Sequence, residues 1–148
     1  MKASIRLIRI LLFLSLFFPA AWAAQPLPTV TVYKSPSCGC CEKWVGHMRA
    51  NGFEVVTHDT NNVAEQKTRL GVPQAMSSCH TAEVGGYVVE GHVPAADVKH
   101  LLAGKSHIRG LAVPGMPASA PGMDNPGKLP YVVYAIKNNG AIASYARY

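Results

Sequence analysis

The chain has 148 residues, 49% of them hydrophobic, with 14 Lys and Arg against 8 Asp and Glu. Three of those cations, Lys2, Arg6 and Arg9, lie in an N-terminal leader, so residues 24–148 carry 11 basic against 8 acidic side chains. That balance gives no case for a nucleic-acid-binding surface, and the length suits one domain with a single core.

Residues 1–23 read as a secretory signal peptide. Lys2, Arg6 and Arg9 precede an apolar run from Ile10 to Phe18, and Ala21-Trp22-Ala23 supplies the small residues of a cleavage site after Ala23. The run falls short of the ~20 apolar residues a spanning helix needs, so no membrane association is expected after cleavage. The expected location is the periplasm, where disulfides persist. Residues 24–148 are expected to form one domain.

Thr29 to Tyr33 is β-branched and aromatic and predicts a first strand. Lys34-Ser35-Pro36-Ser37 breaks it and leads into Cys38-Gly39-Cys40-Cys41. From Cys41 the apolar positions fall at Cys41, Trp44, Val45 and Met48, a helical stripe closed by Asn51-Gly52. Ser37 is the expected cap, which places the cysteines on the first turn. Backbone N–H groups there favour thiolate over thiol. Phe53 to Thr57 predicts a second strand, and Asn62 to Leu70 a short helix capped by Asn61 or Asn62 and ended by Gly71-Val72-Pro73. A third strand is expected near Ala75 to Cys79, and a fourth at Tyr87-Val88-Val89 after the Gly85-Gly86 turn. Pro94 opens a helix from Ala95 to Leu102. This order predicts an α/β sandwich of the thioredoxin-like type. Gly110 to Gly127, rich in Gly, Pro and Ala, reads as a loop, and Tyr131–Ile136 with Ala141–Tyr145 as a C-terminal β-hairpin through Asn138-Asn139-Gly140.

The cysteines carry two competing chemistries. Cys38 and Cys41 form a C-x-x-C at a helix N-terminus, the arrangement of a thiol-disulfide oxidoreductase, and Gly71-Val72-Pro73 resembles the proline loop beside such dithiols. Cys40 inside the spacer and a fourth thiol in Cys79-His80 argue for a metal instead. Thiolates and thioethers select Cu(I). Zinc sites usually use ligand pairs separated by two to four residues, whereas Cys40 and Cys41 are adjacent and suit bridging between ions. Copper is therefore favoured over zinc. With four cysteines the disulfide pairing stays open.

Tyr33-Lys34-Ser35-Pro36-Ser37-Cys38-Gly39-Cys40-Cys41, Gly71-Val72-Pro73, Ser78-Cys79-His80-Thr81-Ala82, Gly86 to Pro94 and Gly110 to Pro117 together resemble the CopG-like family of exported copper-resistance proteins. The likeness runs from about Val30 to about Met123. It implies a thioredoxin-like fold in which Cys38, Cys40, Cys41 and Cys79 hold a cysteine-bridged cluster of several copper ions, with His80 adjoining. It also implies interconversion of Cu(I) and Cu(II) during copper detoxification, and a periplasmic copper-efflux or redox partner. A non-catalytic copper chaperone is the further alternative. A cis bond at Pro73 is expected from the fold resemblance.

Other residues are weighed against bland roles. Met116 is a candidate soft ligand and Met123 a packing residue. His92, in Gly-His-Val-Pro between strand and helix, is within reach of a site at that edge of the sheet, with a turn histidine bonded to backbone as the favoured reading. His47 lies ~10 Å along the helix from Cys40, too far to share one ion. His58, His100 and His107 read as surface histidines, Trp44 and Met48 as core, and Lys34, Lys43 and Glu42 as a solvated rim.

Overall fold

The computed structural model describes residues 26–125 and 129–148; the leader read as a signal peptide lies outside them. Its elements are β1 (Val30–Lys34), α1 (Gly39–Ala50), β2 (Val55–Asp59), α2 (Val63–Leu70), β3 (Thr81–Val84), β4 (Tyr87–Glu90), α3 (Ala95–Gly104), β5 (Ile108–Ala112), β6 (Val132–Lys137) and β7 (Ile142–Arg147), with a 3-10 turn at Gln74–Met76. The seven strands form one sheet in the order β2-β1-β3-β4-β5-β6-β7.

Parallel pairing of β1 with β2 needs a crossover, and α1 supplies it. β3 then pairs antiparallel with β1 and β4 with β3, joined by Gly85 and Gly86 at φ 55° and 84°. Positive φ at both central positions matches the turn that follows strand twist, and glycine meets that demand without strain. The β1–β4 sheet with α1, α2 and α3 is the thioredoxin-like α/β unit expected from the sequence. No helix among the described residues is long and apolar enough to cross a membrane.

The core forms where α1 turns Trp44, Val45 and Met48 onto Val30 and Val32 of β1 and Val89 of β4. Trp44 is fully buried, and its indole N–H donates to the Val93 carbonyl at 2.9 Å, so the polar edge of the ring is satisfied. Asn62 caps α2 by accepting from the Glu65 N–H, and Gly71 ends it in the left-handed region.

Several expectations need correction. Ser37 does not cap α1: Cys38 is the N-cap residue, and the Ser37 hydroxyl lies 3.1 Å from that of Ser35. The segment 75–79 is a 3-10 turn and an extended loop rather than a strand, because the Ser78 N–H bonds the Glu90 carboxylate instead of a ladder partner. The peptide bond before Pro73 is trans. Lys34 is no rim residue: it is 1% exposed, held between Glu42 at 2.5 Å and Asp59 at 2.6 Å. Finally, the stretch from Gly110 is not wholly loop. Gly110 belongs to β5, opposite Val88 of β4, where a Cβ would run into the Val88 backbone. The glycine that suggested a loop is what lets this strand dock.

Candidate metal centre

α1 begins where the chain leaves β1, which lies between β2 and β3, and turns at Ser35–Cys38, with the Cys38 N–H donating to the Ser35 carbonyl at 3.1 Å. Cys40 and Cys41 then fall on its first turn. Cys41 points inward and is fully buried, while Cys38 and Cys40 are half-buried. Cys38 and Cys41 are joined by a disulfide across that turn, and Cys40 and Cys79 are free thiols.

Cys79 enters from the other side of the site. It follows Ser78, whose N–H donates to Glu90 Oε1 at 2.6 Å and whose hydroxyl donates to the Gly115 carbonyl. Glu90 is fully buried and paired with Lys67 of α2. Burial pushes its carboxyl up, and the Lys67 charge opposes that shift. Gly91, at φ 68°, passes so close that a Cβ there would sit 2.5 Å from the Ser78 side chain. The Cys79 loop is therefore pinned by β4 beneath it and by the segment around Gly115 beside it.

The two walls meet at Cys40. Its Sγ lies 3.5 Å from that of Cys38 and 3.7 Å from that of Cys79. All four sulfurs lie within 4.8 Å of one another. At a metal–sulfur length of about 2.3 Å, as for zinc, the 3.7 Å Cys40–Cys79 separation corresponds to an angle of ~107° at a shared ion. These two sulfurs thus fit one metal without rearrangement. The Cys79 thiol is pushed up to about 11, first by burial and then by its bond to Cys40.

Two histidines lie behind Cys79. His92 is fully buried, with Nε2 3.5 Å from Cys79 Sγ and Nδ1 2.8 Å from the Pro121 carbonyl. His80 is also fully buried, its ring 4.4 Å from that of Trp44 and 5.1 Å from that of His92. Neither nitrogen of His80 has a hydrogen-bond partner among the described residues. Burial lowers the pKa of both rings, that of His80 strongly, so both are neutral. His80 stands outside the group of four mutually close sulfurs.

The segment after β5 closes over α1. Gly122, at φ 85°, lies where a Cβ would come 2.7 Å from the Trp44 N and 3.1 Å from the Cys40 carbonyl, and Asp124 pairs with Lys43 at 2.9 Å. Met116 is 61% exposed, although its neighbour Gly115 bridges to Ser78, and Met123 packs on the core. His47 Nε2 accepts the Ala95 N–H at 3.0 Å, and His58, His100 and His107 are exposed. The reading of the sequence missed Glu90, Lys67 and the Pro121 carbonyl as parts of this site. Glu90, a charge ending an apolar strand before Gly91, was the one visible signal.

The family described as "Protein of unknown function, DUF411" matches residues 76–123, which hold Cys79, His80, His92 and Met116. A search of curated proteins finds no match. Among solved structures, "Copper resistance protein copG- Form 2" is 42% identical with a TM-score of 0.78, covering 84% of this chain and 99% of that one. "Copper resistance protein copG- Form 1" is 41% identical with a TM-score of 0.77, covering 82% and 98%. The chain belongs to the CopG copper-resistance family. Four clustered sulfurs on a CopG fold give the chain a copper-related role.

Proposed function

We propose that the chain is an exported protein of the periplasm, cut after Ala23 and active as one domain over residues 24–148, that holds Cu(I) in a cysteine-bridged cluster for copper resistance. Cys38, Cys40, Cys41 and Cys79 are its thiolate ligands. His80 supplies an imidazole on the buried side, a role supported by its two unpartnered ring nitrogens. Met116 supplies a thioether from the exposed loop. The observation that carries the reading is Cys40 standing within bridging distance of both Cys38 and Cys79.

Thiolates stabilise the cuprous ion, so a sulfur-rich cluster keeps copper from uncontrolled redox chemistry. The full set of four requires the Cys38–Cys41 disulfide to be reduced by two electrons and two protons. Copper uptake then releases thiol protons, including that of Cys79. Exchange of electrons with a periplasmic redox partner would interconvert Cu(I) and Cu(II) at this site, and an efflux partner would remove the ion.

Metal analysis of protein purified under reducing conditions from a copper-fed periplasm tests this. At least one copper per chain is expected, with a loss in each Cys→Ser variant; less than one in the unmodified chain contradicts it. The Cys38–Cys41 disulfide favours a second reading, thiol-disulfide exchange with protein substrates. That reading predicts insulin reduction dependent on Cys38 and Cys41 but indifferent to Cys79 and His80. A non-catalytic chaperone predicts copper transfer with no change of valence by electron paramagnetic resonance.

A further inference from the structure

We propose that a cleft at the C-terminal end of α2 binds a small organic carboxylate, its carboxylate held by Arg109. The site shares no residue with the copper centre, so its failure would leave the copper reading intact.

The cleft has a volume of 410 Å³ and is lined by Leu70 of α2, Glu83 and Val88 of the β3–β4 hairpin, and Ile108 and Arg109 of β5. It opens on the face of the sheet away from α1. Successive strand residues point to opposite faces, and Val32 packs with Trp44, while the ring of Tyr33 meets the Arg69 guanidinium of α2 at 5.2 Å. The cysteines gather where β1 ends, whereas the cleft lies where β4 and β5 begin.

Arg109 is the group the fold leaves unspent. An irregularity in the β5–β6 register falls between Ile108 and Gly110, and irregularities of that kind re-aim a side chain. A guanidinium offers five N–H donors, yet this one makes two long contacts, Nη1 to the Leu70 carbonyl at 3.5 Å and Nη2 to the Asn138 carbonyl at 3.4 Å. It has no carboxylate partner among the described residues. A strut closing the end of α2 is not needed there, because the Gly71 and Val72 N–H groups already donate to the Thr68 and Lys67 carbonyls at 3.0 and 2.9 Å. Gly71 keeps the space instead: a Cβ there would come 2.4 Å from Arg109 Nη1.

Arg69, by contrast, is engaged, with Nη2 on Glu83 at 2.7 Å and Nε on Gln66 at 2.9 Å. The Glu83 charge is thereby offset, and the cleft keeps one net positive charge at Arg109. The planar fork of a guanidinium matches a carboxylate through two parallel N–H···O bonds. Leu70, Val88 and Ile108 supply the apolar wall for the rest of an organic acid, which an inorganic oxyanion would leave bare.

The test is 15N NMR of the full chain, free of copper, titrated at constant ionic strength with hexanoate, benzoate and inorganic phosphate. Saturable movement of the Arg109 Nε resonance and of the Leu70 and Val88 amides is expected with the two carboxylates, with phosphate weaker. Arg109→Gln is expected to lower carboxylate affinity at least about tenfold, as loss of a charge-assisted pair should, and Arg109→Lys not to restore it, since an ammonium lacks the fork. Glu83→Gln is expected to tighten binding, because the cleft loses a negative charge; a merely structural Arg109 predicts no such gain. No saturable shift with either carboxylate, phosphate binding as tightly as they do, or weaker binding in Glu83→Gln overturns the proposal. Should Arg109→Gln fail to fold, the titrations of the unmodified chain and of Glu83→Gln still decide.

Discussion

The two walls of the site are built by different means. On the α1 side, Cys38, Cys40 and Cys41 are placed by a single helical turn, and their relation follows from local backbone geometry. On the β4 side, Cys79 and His92 are placed by long-range polar bonds: Glu90 to Ser78, Lys67 to Glu90, and Pro121 to His92. The spacing of the first wall's cysteines is set within that one turn. The second depends on residues that never touch the sulfurs, so its geometry can be altered from a distance.

Trp44 joins the walls, through its N–H to Val93 and its face on His80, and its removal should have the largest effect. Trp44→Ala is expected to destabilise the chain by about 3–5 kcal/mol in urea unfolding. Glu90→Ala comes next, because it strands the largely buried Lys67 charge and the Ser78 N–H. A loss of about 3 kcal/mol is expected, with Glu90→Gln milder. The comparison makes a sharper demand on Glu90→Gln: alkylation of Cys79 should change in rate, while the Cys38–Cys41 disulfide forms as in the unmodified chain. Equal disturbance of both pairs would mean that the walls are not independent.

Acid should weaken the chain through its buried histidines. Burial lowers the pKa of His47, His80 and His92, so below the ordinary value near 6.5 the unfolded chain takes up protons that the folded chain refuses. Stability of the copper-free protein is therefore present above that value and lost as pH falls through it. The slope is at most about 1.4 kcal/mol per pH unit for each histidine. His47→Gln should flatten the profile measured by urea unfolding between pH 7.5 and 5, the pH values being those of the experiment; an unchanged slope would argue against the His47–Ala95 bond. Ser37→Ala should have the smallest effect, within ~0.5 kcal/mol, because its hydroxyl makes no cap bond to α1.

The α1 wall was legible in the sequence because every relation in it lies within one turn. The apolar stripe Cys41, Trp44, Val45, Met48 is buried as its spacing demands, whereas the third strand, expected near Ala75 to Cys79, lies at Thr81–Val84. The β4 wall was legible in composition, through Cys79-His80, but not in geometry. Spacing cannot report that Ser78 gives its N–H to a carboxylate twelve residues on, or that a proline carbonyl meets His92 across 29 residues. Lys34 was misplaced for the same reason: its burial rests on Asp59, a partner 25 residues away. β5 was hidden because glycine signals a loop locally and close strand approach only in three dimensions.

The central claim, that the two walls share copper through Cys40, is tested most directly by anaerobic Cu(I) titration of the reduced chain beside Cys40→Ser, read by X-ray absorption. The account predicts a sulfur-dominated shell with a copper–copper vector in the unmodified chain, and loss of that vector with most of the copper in Cys40→Ser. Identical uptake and identical spectra for the two proteins would contradict it.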